Sequence, residues 1–265
     1  MNRDTAATDD LSAAEWERYS RQVGEGVLSR EGQQALKRST ALVTRVGGMG
    51  GPAALALVMA GVGRVVIAHG GELISADLNR QVLGSEQVLG QRRAPHFAAS
   101  LRAMNRFVTV EELDYEPDDE QTLALARRVD VILACPPTFA ERLRLNRAAV
   151  AAGVPLVDAA QWGMMGTLTV VQPGRTACLR CVYPSDPPFE ELFPVVGAIS
   201  SATGSLAALE AIKILSGCGE PMYGKMLMLD GRRGRTSVVE LARDPRCCCC
   251  GGPRATEEPV CKHQR

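Results

Sequence analysis

Short apolar runs bounded by Gly or Pro alternate with helix-like segments as far as Asp158, and this rhythm constrains the fold more than any other feature. Residues 41–46, 65–68, 108–113, 129–134 and 155–158 read as strands, with helices at 52–60, 94–105, 120–128 and 140–151 between them. A strand that returns through a helix to another strand pairs in parallel and leaves helices on both sheet faces. The expected class is therefore α/β, a Rossmann-like, mostly parallel sheet. Beyond Gln161 the pattern changes to strands at 167–172, 226–229 and 236–241 around a helix at 205–215, which predicts an antiparallel extension of the same sheet. With 265 residues, 46% of them hydrophobic, the chain can bury one large core. One domain is expected over 15–251, with a flexible N-terminus at 1–14 and a disordered polar tail at 252–265.

Cys178-x-x-Cys181 is answered far downstream by Cys247-x-x-Cys250, and two such knuckles read as a tetrahedral four-thiolate zinc site. Four thiolates leave no open coordination position, so the zinc is expected to be structural. Cys248 and Cys249 read as spare thiols, with another choice of ligands left open; Cys135 and Cys218 read as buried packing residues. Nine cysteines clustered in CxxC units suit a reducing compartment, and a cytoplasmic location is expected. Thirty basic residues balance thirty acidic ones, which argues against nucleic acid and anionic membrane surfaces as partners. No apolar run is read as a membrane span.

The turn Val43-Thr-Arg-Val-Gly-Gly-Met-Gly-Gly-Pro52 joins a strand to a helix, where glycines such as Gly47, Gly48 and Gly50 let a backbone approach a phosphate. Close helix-to-strand packing explains the same glycines equally well. Arg45 stands where a dinucleotide fingerprint has its first glycine, and it makes the turn harder. The next strand runs out through His69-Gly-Gly71, without the carboxylate that would accept ribose hydroxyls. A nicotinamide-dependent dehydrogenase is disfavoured.

In chain order, Arg18-Tyr-Ser-Arg-Gln22, the glycine turn, Asp77-Leu-Asn-Arg-Gln81, Cys178-Leu-Arg-Cys-Val-Tyr-Pro184, Gly204-Ser-Leu-Ala-Ala-Leu-Glu-Ala-Ile-Lys213 and Cys247-x-x-Cys-Gly251 follow one another. In these motifs the chain resembles the ThiF/MoeB/HesA family, the bacterial relatives of ubiquitin-activating enzymes, from about Glu15 to Gly251. The resemblance implies ATP and magnesium as cofactors, adenylation of the C-terminal glycine of a ubiquitin-like sulfur-carrier protein, and a dimer in which each subunit lends an arginine to its partner. It places Arg21 as the lent arginine, Arg80 as a phosphate contact and Arg93 at the usual lysine position. Arg93 keeps the charge but presents a planar fork.

The acidic half of the pattern departs from the family. Its Asp-x-Asp aligns with His69 and Gly71, its motif asparagine with Asp77, and its magnesium-binding aspartate with Pro137, which has no ligand atom. The cysteine some members carry before the last long helix aligns near Glu190, so no covalent sulfur intermediate is expected there. Arg142 and Asn146, one helical turn apart, match a family pattern behind the nucleotide pocket, or else form an ordinary surface pair. His69 could bind phosphate or act as an acid or base; a structural histidine is the commoner role. Trp162, Met164 and Met165 read as core or interface filler.

These losses argue against ATP and magnesium use and favour a family member with a degenerate ATP site, impaired in adenylation. Such a protein would act as a homodimer, a heterodimer with an intact paralogue, or a scaffold for a carrier protein. Two alternatives stand beside it. One is an active adenylyltransferase or sulfurtransferase in which Asp77, Glu72 and Arg93 replace the usual ligands. The other is a pocket remodelled around His69 and Arg45 for a different small molecule.

Overall fold

The computed structural model describes residues 11–187 and 194–251. Eight strands form one sheet in the order β3-β2-β1-β4-β5-β6-β7-β8. β1 (Thr40–Thr44), β2 (Arg64–Ala68), β3 (Thr109–Leu113), β4 (Val131–Ala134) and β5 (Leu156–Trp162) run parallel. β6 (Met165–Val171), β7 (Lys225–Asp230) and β8 (Arg235–Glu240) continue antiparallel. β1, β2 and β4, inside the parallel half, are mostly apolar and buried because helices cover both their faces, whereas β3 at the sheet edge carries Glu111 and Glu112.

One core joins the sheet to α3 (Gly50–Ala60), α4 (Arg93–Met104) and α8 (Gly197–Ser216). The other joins its opposite face to α5 (Asp119–Ala126), α6 (Phe139–Ala152) and α7 (Leu179–Val182). α8 is 20 residues long with a mean hydropathy of 1.3, long and apolar enough to span a bilayer. It begins eight residues before the expected start. In this fold it packs on α3 and on β5 and β6, and Gly204 is why it can: a Cβ there would lie 2.1 Å from the Met49 carbonyl oxygen. Its small residues, which look loop-like in sequence, let two helices approach closely.

Two N-terminal helices, α1 (Ala13–Tyr19) and α2 (Arg30–Arg38), were not anticipated. Ser12 and Glu15 form a reciprocal cap on α1, so regular structure begins at Ala13, ahead of the boundary expected at residue 15. The expectations for residues 1–10, for Glu190 and for the 252–265 tail lie outside the described residues, as do residues 188–193.

Candidate functional site

A cavity of about 470 Å³ opens at the carboxyl ends of the parallel strands, where open α/β sheets bind ligands. The β1–α3 turn forms its floor through Gly47, Gly48 and Met49. Arg45 adopts φ +55, a left-handed conformation unusual for a side chain this large. A Cβ on Gly50 would sit 2.5 Å from the Arg45 carbonyl oxygen, so the turn closes only with glycine there. The Arg45 guanidinium is drawn away from the glycines by two carboxylates, Glu116 at 2.7 Å and Glu141 at 2.5 Å.

The cavity brings together Arg45, His69, Asp77, Arg80, Arg93, Gly47 and Gly48, which lie up to 48 positions apart in the sequence. Arg80 reaches Asp77 Oδ1 at 3.3 Å and donates to the Ala76 carbonyl and to Asn79 Oδ1, both at 2.8 Å. Arg93 reaches Asp77 Oδ2 at 3.4 Å and donates to His69 Nε2 at 3.3 Å and to the Glu72 carbonyl oxygen. Burial holds the Arg93 guanidinium below its ordinary pKa, and its Nε is buried without a hydrogen-bond partner.

His69 is buried, and its pKa is pushed down to about 3, first by burial and then by the Arg93 and Arg45 cations. It is neutral at physiological pH. Since Nε2 accepts from Arg93, the proton sits on Nδ1, which faces the Val46 backbone outside strict hydrogen-bond geometry. This makes His69 a neutral neighbour of the arginines, with no free basic nitrogen for acid–base work.

Glu116, which no local motif marks, follows β3 and accepts a 2.8 Å hydrogen bond from the Gly70 amide. A carboxylate therefore does stand at the end of β2, supplied by the neighbouring strand. Burial raises its pKa against the pull of Arg45. On the cavity wall, Arg142 meets Asp158 at 2.6 Å and donates to the Ala159 carbonyl at 2.8 Å. Arg142 and Asn146 are both buried, which corrects the surface-pair alternative.

Asn146 points to the cysteine cluster. Its Oδ1 accepts from the Leu179 amide at 2.9 Å, and its Nδ2 donates to Cys249 Sγ at 3.2 Å. The four sulfurs of Cys178, Cys181, Cys247 and Cys250 lie within 4.8 Å of one another, with separations of 3.7 Å for Cys178–Cys247 and 3.4 Å for Cys181–Cys250. Four sulfurs at ~2.3 Å from a tetrahedral zinc are ~3.8 Å apart, so the donor set fits the metal. Cys249 is no idle thiol, since it takes the Asn146 hydrogen bond beside the cluster.

Other expectations are corrected. Cys135 is buried, and burial lifts its pKa to about 12, but Cys218 is half-exposed. Its thiol sits 3.5 Å from the Ser29 amide at the start of α2, a contact that lowers its pKa. Trp162, 47% exposed, lines the cavity with Met165 and does not fill a core. Glu72 is exposed and contributes its carbonyl, and Arg21 lies exposed on the turn after α1.

The donor set divides the nucleotide requirements in two. Phosphates fit: Arg80, Arg93 and the amides of the glycine turn at the start of α3 face one cavity. Magnesium does not, because Pro137 offers no side-chain oxygen, and Asp77, the lining carboxylate among the described residues, is committed to Arg80 and Arg93.

Comparison with known proteins agrees with this architecture. The ThiF family pattern matches residues 19–249. The chain is 42% identical over 245 residues to Protein HesA of Leptolyngbya boryana, covering 91% of this chain and 88% of that one. It is 36% identical over 247 residues to the bovine (Bos taurus) adenylyltransferase and sulfurtransferase MOCS3, covering 91% of this chain and 54% of that longer protein. The crystal structure of Escherichia coli MccB superposes with a TM-score of 0.80 at 19% identity, covering 95% of this chain and 76% of that one. That of MccB with ATP gives 0.74 at 20% identity, covering 83% and 68%. The chain belongs to the ThiF family.

Proposed function

We propose that this adenylyltransferase-like protein serves a ubiquitin-like sulfur-carrier pathway as a dimer partner or carrier-binding scaffold, with little adenylating activity of its own. The observation that carries this reading is the pairing of every carboxylate described around the cavity. Asp77 binds Arg80 and Arg93, Glu116 and Glu141 share Arg45, and Asp158 binds Arg142. Adenylation transfers charge between phosphates, and magnesium held by a carboxylate ordinarily stabilises that charge. A pocket that retains its arginines and, among the described residues, has no carboxylate to spare favours holding an anion over turning it over. Exposed Arg21 fits a role in a neighbouring subunit's site, and the cysteine clamp supports the scaffold whether or not the pocket reacts.

ATP–pyrophosphate exchange tests this. The purified chain with candidate carrier proteins is expected to give no exchange above background. Mixed with an intact relative, it is expected to change the relative's rate in a way that Arg21→Ala removes. Robust exchange by the chain alone would overturn the proposal. The second reading, an active enzyme with a remodelled pocket, draws on Glu116, whose carboxylate at the Gly70 amide stands near where ribose hydroxyls are expected. Under that reading Glu116→Gln abolishes exchange.

A further inference from the structure

The mismatch between a cationic floor and a missing magnesium ligand points to a defined ligand state. Both oxygens of Asp77 are engaged: Oδ1 by Arg80, and Oδ2 by Arg93 and by the Ile74 amide at 3.2 Å. A divalent cation placed on that carboxylate would sit against two guanidinium groups. The glycine turn touches the same groups, for a Cβ on Gly47 would lie 3.3 Å from the His69 ring and one on Gly48 3.1 Å from the Arg80 stem. Amides, two guanidiniums and a neutral imidazole thus share one wall, with a single carboxylate between the two cations.

We propose that this cavity binds a di- or triphosphate in its magnesium-free form, Arg80 and Arg93 supplying the charge that the metal would otherwise bring. The inference rests on the reading of the cavity as a phosphate-accepting site with little turnover. His69 is the specificity-determining residue. It accepts from Arg93 without neutralising it, whereas a carboxylate in its place would cancel one cation and offer magnesium a ligand. The ligand is defined by its two or three linked phosphates, carried by a nucleotide or free as an inorganic anion.

Calorimetric titration of the zinc-replete full chain with inorganic pyrophosphate and with ATP, each in magnesium-free buffer without chelator and in excess magnesium, tests the proposal. Both are expected to bind without magnesium and to weaken with it. A unit charge ~6 Å away across an effective dielectric of ~40 is worth roughly tenfold in affinity, so the magnesium penalty should reach that size. ATP binding tighter than pyrophosphate identifies a nucleotide as the source; equal affinities identify free oligophosphate. Asp77→Asn keeps an oxygen for the Ile74 amide while removing the negative charge, and should tighten metal-free pyrophosphate binding roughly tenfold. That gain cannot come from misfolding. His69→Asp should weaken metal-free binding by a similar factor and make magnesium favourable. Absence of binding in magnesium-free buffer, binding that magnesium strengthens, or no gain in Asp77→Asn overturns the inference. If binding fails while exchange stays absent, the function proposed above still stands; magnesium-strengthened binding together with exchange overturns both.

Discussion

Removing the Arg142 side chain should be among the most damaging single changes to this fold. Arg142 Nη1 lies 2.6 Å from Asp158 Oδ1, and the two side chains are only 5% and 6% exposed. At an effective dielectric of ~20, charges ~4 Å apart attract by about 4 kcal/mol, and stranding one member of such a buried pair costs about 3–5 kcal/mol. Arg142→Ala also frees the Ala159 carbonyl, so the upper half of that range is expected. For a chain of this size, that lowers the melting temperature by on the order of 10 °C. Burial already raises the Asp158 pKa, and losing Arg142 raises it further. Between the unfolded and the folded pKa the native state holds the extra proton, so stability falls as pH climbs through that window. The variant's deficit should therefore be larger at pH 8 than at pH 5.5. Thermal and urea unfolding of zinc-replete protein at both pH values, with an Arg142→Met/Asp158→Leu double variant alongside, gives the readout. The double variant should recover most of the loss, because an apolar pair leaves no buried charge. A deficit below about 1 kcal/mol, a larger deficit at low pH, or a double variant no better than the single one refutes the reasoning.

Zinc-replete protein should carry one zinc per chain by elemental analysis, and Cys181→Ser should lose it together with several degrees of melting temperature; full occupancy of that variant would show that other ligands hold the metal. Nitrogen NMR of His69 should show a neutral ring protonated at Nδ1 at pH 6, as its pKa of about 3 requires, and a charged ring at that pH would contradict the site's electrostatics. Gly204→Ala should destabilise by roughly 2 kcal/mol or more through overpacking against Met49, so a fully stable variant would mean the α3–α8 contact is looser than described. Cys218 should react with a thiol reagent well before Cys135, given their opposite pKa shifts, and equal rates would refute the assigned environments.

The parallel half of the sheet was legible because its inner strands β1, β2 and β4 are dense apolar runs, and a side chain buried on either face needs no alternation. The cysteine spacing was legible because two CxxC knuckles are the pattern a four-thiolate metal site requires. The start of α8 was not, since small residues that permit close helix packing resemble those that make loops. The cavity's chemistry was half legible. Counting acids along the motifs revealed Pro137 and His69, but Glu116 meets Gly70 from 46 positions away, and Arg45 finds Glu141 across 96. Which carboxylates are already paired is a property of the folded molecule, carried by no local pattern.

The cysteine cluster also has a topological consequence. Cys178 follows β6 and Cys247 follows β8, so a metal shared by them fastens a loop of 69 residues that contains α8, β7 and β8. Closing a loop of that length removes chain entropy from the unfolded ensemble equivalent to about 4 kcal/mol on a covalent-link scale. The wall of the cavity built by α8 thus lies inside a fastened excursion of the chain. With zinc in that cluster, its supply would set how long the excursion survives local opening and protease attack, independent of anything bound in the cavity.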